Sequence, residues 1–131
     1  MTRVALIDDH ESVRLGLQAA CARAESMNVA FSGSTVTEYL DWRAYARQAP
    51  ADVVVLDPPR SGAGREVVEG VAGLRPQTVV YVACDPVALA RDLAVFQTFG
   101  YDTTRIDAVD LFPNSHHIEA IATLTRTVPH R

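Results

Sequence analysis

Lysine is missing from this chain. All 12 basic residues are arginine, and 16 acidic residues leave a net charge of −4. That balance offers no generally basic face, so a general grip on nucleic acid is not expected. Only two cysteines occur, Cys21 and Cys84. They lack metal-ligand spacing and need not pair, which makes a reducing cytoplasm the expected compartment. No apolar run is long enough to cross a bilayer and no signal-peptide pattern is present, so a soluble, cytoplasmic protein is expected, with no membrane partner. Repeats, low-complexity tracts and linkers are also absent, which leaves residues 1–131 as a single domain. With 48% hydrophobic and 21% charged residues, 131 residues suffice for one core without staples.

Short apolar runs alternate with helical periodicity along the chain. Val4 to Ile7 ends in Asp8-Asp9, as a buried parallel strand would. From Glu11, apolar residues recur at helical spacing through Ala24. Met27 to Phe31 reads as a second strand, and Thr37 is placed to cap a helix through Gln48. Trp42 and Tyr45 read as packing residues on that helix. Val53 to Leu56, wholly apolar, reads as a central strand. Beyond Pro58-Pro59 the pattern predicts a helix from Gly64 to Leu74, stopped at Arg75-Pro76. A strand from Thr78 to Ala83 follows, then a helix from Pro86 to Phe99 ended by Gly100. Strands over Tyr101–Val109 and Ile118–Thr125 complete the order. Such alternation implies a three-layer α/β/α sandwich around a mostly parallel six-stranded sheet.

The segment Val4 to Glu11, with Ser32-Gly33-Ser34 and Ala51 to Asp57, resembles a response-regulator receiver domain over residues 2–57. The resemblance implies a flavodoxin-like start in which Asp8, Asp9 and Asp57 form a hard-oxygen pocket for Mg²⁺. Asp57 would be the phosphoacceptor and the Pro59 carbonyl a further ligand. Receivers also need a hydroxyl residue ending the fourth strand and a lysine after the fifth. Here Ala83-Cys84 and an absent lysine stand instead. Weak Mg²⁺ binding, rather than phosphosignalling, is the implied residue of that chemistry.

Asp57-Pro58-Pro59-Arg60-Ser61-Gly62-Ala63-Gly64 and Val79 to Pro86, with Leu89-Ala90-Arg91-Asp92, Gly100-Tyr101, Asp110-Leu111-Phe112-Pro113 and His116 to Glu119, resemble the C-terminal catalytic part of RNA uracil-5 methyltransferases over residues 57–126. The resemblance implies a Rossmann-like finish with Cys84 as the nucleophile toward uracil C6 and Glu119 as the base at C5. Asp57 and Arg60 would line that site, with Asp85-Pro86 shaping the nucleophile turn. His116 and His117, adjacent on a strand or connector, read as linking residues rather than a metal site.

Joining receiver order 2-1-3-4-5 to methyltransferase order 3-2-1-4-5-7-6 at Asp57 predicts sheet order 2-1-3-4-6-5, with strand 6 antiparallel. It also suggests a recombined chain, engineered or natural: a chimeric scaffold with inherited but inactive site residues. In these methyltransferases a glycine-rich loop follows the first strand, whereas here Asp8-Asp9-His10-Glu11 follows. On that ground no cofactor is expected, and S-adenosylmethionine least of all. Newly exposed surfaces would favour self-association. Two alternatives stand beside this reading: a residual S-adenosylmethionine-dependent RNA uracil-5 methyltransferase fragment using Cys84 and Glu119, and a Mg²⁺-binding signalling domain using Asp57.

Overall fold

The computed structural model describes residues 1–46, 49–110 and 118–127. Its elements follow the order β1 (Thr2–Asp8), α1 (Glu11–Arg23), β2 (Met27–Gly33), α2 (Val36–Ala46), β3 (Val53–Asp57), α3 (Arg65–Gly73), β4 (Thr78–Ala83), α4 (Pro86–Thr98), β5 (Tyr101–Asp110) and β6 (Ile118–Arg126). Every predicted element is present, with ends displaced by at most two residues; the end expected for the second helix, Gln48, lies outside the described residues. The sheet order is β2-β1-β3-β4-β6-β5, and β6 runs antiparallel between β4 and β5. This is the topology predicted from the sequence.

Strand periodicity decides which side chains enter the core. Val54 and Leu56 of β3 alternate with half-buried Val53 and Val55, and Val79, Tyr81 and Ala83 of β4 alternate in the same way. The buried set packs with Val36 and Tyr39 of α2, Val68 and Val71 of α3, and Leu89 and Phe96 of α4. Those three helices therefore share one face of the sheet. On the other face α1 packs on β1 and β2 and contributes no fully buried residue.

Three tyrosines reach the centre of the main core, and each has its hydroxyl satisfied, as burial requires. Tyr39 accepts the amide of Ala51 at 2.9 Å. Tyr101 donates to the Pro76 carbonyl at 2.6 Å, and Tyr81 donates to Asp92 at 2.5 Å. Trp42 packs beside Phe31 and Tyr39 as expected, but Tyr45 is 92% exposed.

The helix cap also differs from expectation. Thr35, not Thr37, receives the amide of Glu38 at 3.1 Å, and the Glu38 carboxylate returns to the amide of Ser34 at 3.0 Å. Val36 is buried, which pulls the helix start one turn position earlier and leaves Thr37 inside the first turn.

Candidate active site

The chain leaves β1 toward β2 on one side and re-enters the sheet as β3 on the other. Such a switch point opens a crevice at the carboxyl ends of the strands. Asp8 and Asp57 face one another there, paired in register at the ends of β1 and β3. A hollow of about 530 Å³ begins at this pair and passes under Val13 and Leu17 of α1 to Arg60, Cys84 and Glu119. A second hollow, of about 350 Å³, shares Ile7, Asp9, Asp57 and Pro58-Pro59 with it and extends past Ser34, Thr35 and Val36. Asp57 stands on the wall common to both.

Cys84, Asp57 and Glu119, far apart in sequence, thus line one cleft. Topology explains the convergence. Asp57 ends β3 and Cys84 follows the end of β4, both parallel strands, while Glu119 lies at the start of antiparallel β6. Cys84 is an exposed free thiol. Asp85 caps α4 by accepting the amide of Val87 at 3.1 Å, with Pro86 at the first helical position. The turn carrying Cys84 is therefore fixed from its carboxyl side.

Asp8 and Asp57 do not titrate independently. Burial pushes Asp57 upward, and its hydrogen bond with Asp8 and the charges of Asp8 and Glu119 add to this, raising its pKa from 3.8 to about 7. Burial also pushes Asp8 upward, but the hydrogen bonds from Asp57 and from the backbone and ring of His10 outweigh it and hold Asp8 below its ordinary value. One proton is thus shared by the pair and sits mainly on Asp57. The Nδ1 of His10 lies 3.0 Å from Asp8 and 2.9 Å from Asp9. Its pKa rises through the Asp8 hydrogen bond and the Asp9 charge. Ligand atoms of Asp8, Asp9 and His10 fall within 4.8 Å of one another. Asp8 and Asp9, two of the three carboxylates that the receiver-like resemblance assigned to Mg²⁺, thus lie together with His10 at the end of β1.

Sequence reasoning assigned no role to Asp92, which is fully buried. Its carboxylate accepts the Tyr81 hydroxyl, the amide of Ala63 at 2.7 Å and the amide of Gly64 at 3.3 Å. Neighbouring Arg91 donates to the Ser61 carbonyl at 2.6 Å. Together they hold the loop that carries Pro58 to Gly64 along the cleft. The signal was present: Asp92 occupies a core position of α4, between Leu89 and Phe96. Of the remaining expectations, His116 and His117 lie outside the described residues, as do Leu111, Phe112 and Pro113.

A family model described as tRNA (Uracil-5-)-methyltransferase matches residues 17–127. A protein of Thermotoga maritima named an RNA methyltransferase is 40% identical over 119 residues, covering 88% of this chain and 26% of its own length. A namesake from Streptomyces avermitilis is 52% identical over 73 residues, covering 56% of this chain and 17% of its own length. The chain thus spans about a quarter or less of these relatives. Among solved structures, the Pyrococcus abyssi tRNA (uracil-54, C5)-methyltransferase in complex with S-adenosyl-L-homocysteine superimposes with a TM-score of 0.61 at 21% identity, covering 95% of this chain and 34% of that one.

Three expectations fall on these findings. The chain is not a receiver–methyltransferase chimera, because the family match runs without a break from α1 to the end of β6. A buried strand closed by aspartates is common to many α/β sheets, so the pattern in β1 could not discriminate between families. The expectation of no cofactor, and against S-adenosylmethionine in particular, fails with it, since the chain matches a methyltransferase family model and superimposes on a methyltransferase in complex with S-adenosyl-L-homocysteine. The exclusion of nucleic acid fails because net charge is a sum over the whole surface and says nothing of a local site. Relatives named for RNA methylation share this chain's sequence.

The cleft itself fits an adenosylated methyl donor. The smaller hollow sets Ile7, Val36, Leu56 and Pro58 against Asp9, Ser34 and Thr35. An apolar slot with a few polar groups at its rim suits a purine nucleoside. Among the described residues no helix is long and apolar enough to cross a membrane.

Proposed function

The chain belongs to the tRNA (uracil-5-)-methyltransferase family, and on that premise we propose that it is the catalytic end of an S-adenosylmethionine-dependent RNA uracil-5 methyltransferase. The observation that carries this reading is the meeting of Cys84, Asp57, Arg60 and Glu119 in one cleft beside the apolar slot. Asp9, Ser34 and the slot residues would hold the adenosyl group, and the bound cofactor would supply an electrophilic methyl group. Arg60 offers the cleft a guanidinium for a carboxylate or phosphate.

The chain's own residues would act as follows. The Cys84 thiolate adds to uracil C6, forming a C–S bond and placing electron density at C5. Asp57, protonated near neutral pH, can donate to a uracil carbonyl oxygen as charge develops there. Once C5 carries its new substituent, the Glu119 carboxylate removes the C5 proton. The electron pair then restores the double bond and expels the Cys84 sulfur.

Replacing the C5 proton by fluorine removes what Glu119 must abstract. A short RNA carrying 5-fluorouridine, incubated with the protein and S-adenosylmethionine, should therefore give a protein–RNA adduct that survives a denaturing gel. Cys84→Ala should abolish it. No adduct with the wild type, or an adduct that persists in Cys84→Ala, would overturn the assignment.

A further inference from the structure

The opposite edge of the sheet, where β3 and β4 begin and β6 ends, carries a second concentration of chemistry. A hollow of about 480 Å³ is walled there by Arg43 of α2, Arg75 beyond α3 and Arg126 of β6, with Asp52 and Gln77. The Asp52 carboxylate is engaged by the amide of Arg3 at 2.9 Å. Among the described residues, none of the three lining arginines forms an ion pair. The Nε of Arg43 is buried with no hydrogen-bond partner among those residues. Arg126 reaches the Arg75 carbonyl with one nitrogen at 2.7 Å. Three guanidiniums against the single carboxylate of Asp52 leave the hollow with an excess of positive charge that a further anion would balance.

Backbone conformation at Arg75 points the same way. Among the described residues it is the one non-glycine with positive φ, at 54°. It follows Leu74, the C-cap of α3, at the position where helices usually place glycine. An L side chain there is strained, and strain of this kind gathers at functional sites. Glycine would relieve the backbone but remove a guanidinium from the hollow.

We infer that this arginine-walled hollow binds a phosphodiester group of an RNA strand, at the sheet edge remote from the cleft. Guanidinium groups match phosphate oxygens in both charge and fork geometry. The five residues of β3 separate hollow and cleft by roughly 17 Å, so one RNA molecule can engage both. The choice of RNA over free phosphate rests on the methyltransferase reading of the cleft.

Fluorescence anisotropy of a labelled single-stranded RNA, read across a salt series, tests the inference with wild type, Arg43→Gln and Arg75→Gly. Loss of one phosphate contact should lower the slope of log affinity against log salt by about 0.7. That slope change is about a fivefold loss at 0.1 M salt relative to 1 M. Arg75→Gly should show this loss with a melting temperature no lower than wild type, which a merely structural arginine would not. Equal slopes in all three proteins, or no RNA binding by the wild type, would overturn the inference. So would inorganic phosphate shifting the amides of Arg75, Gln77 and Arg126 while RNA affinity is unchanged in the variants, since that marks a free-phosphate site. The fluorouridine adduct at Cys84 reports on the cleft separately, so failure of either reading is recognisable alone.

Discussion

Asp57→Asn should stabilise this protein at alkaline pH and leave it nearly unchanged at acid pH. In the fold Asp57 has a pKa of about 7 against 3.8, because it is partly buried against Asp8 and faces Glu119. Between those values the folded state keeps a proton that the unfolded chain has lost. The stability contributed by that proton is fully present below 3.8, declines as pH rises, and is gone above about 7. The gap between 3.8 and about 7, at about 1.4 kcal/mol for each tenfold, sets a ceiling of roughly 4 kcal/mol. Solvent access to the cleft and the opposing behaviour of Asp8, whose pKa is held down, reduce the expected effect to about 2 kcal/mol. Asparagine has the shape of the protonated acid, and its amide can donate to Asp8 in the same way. Thermal unfolding followed by circular dichroism should therefore show melting temperatures within about 2 °C of each other at pH 4. At pH 8.5 the variant should lie roughly 8 °C above the wild type. A difference that does not change with pH, or a less stable variant at pH 8.5, would refute the shared proton.

Asp92→Ala leaves the Tyr81 hydroxyl and the amides of Ala63 and Gly64 without their partner and should cost about 3 kcal/mol or more in urea unfolding. Tyr81→Phe keeps the loop amides satisfied and should cost only about 1–2 kcal/mol; equal costs would show that Asp92 does not hold the loop. Gly62→Ala places a Cβ 2.5 Å from an Arg91 nitrogen and 2.7 Å from an Asp92 oxygen at φ +88°, so a loss of about 2–3 kcal/mol and faster amide exchange around Ala63 are expected. Gly64→Ala has open space around it but φ 84° with ψ 161°, a region essentially reserved for glycine, and should lose about 2–3 kcal/mol from backbone strain alone.

Local chemistry alone determined much of this protein. Apolar runs closed by aspartate, Pro86 at a helix start and Gly100 at a helix end mark elements because each acts on its own neighbours in the chain. The sheet order followed from resemblance, and the gathering of Cys84, Asp57 and Glu119 followed from the direction of their strands. The kinship of the first 57 residues did not, because a strand ending in Asp8-Asp9 is what any buried parallel strand at a binding edge looks like. Tertiary structure alone decided the rest. Asp8 and Asp57 share a proton because β1 and β3, 45 or more residues apart in the chain, pair in register and bring the two carboxylates together. Asp92 is a core residue because the loop amides that turn toward it are nearly 30 residues away. Arg43, Arg75 and Arg126 form one hollow only because α2, the end of α3 and β6 meet at a single sheet edge. Desolvation and long-range proximity, which set these three features, leave no periodic trace in a sequence.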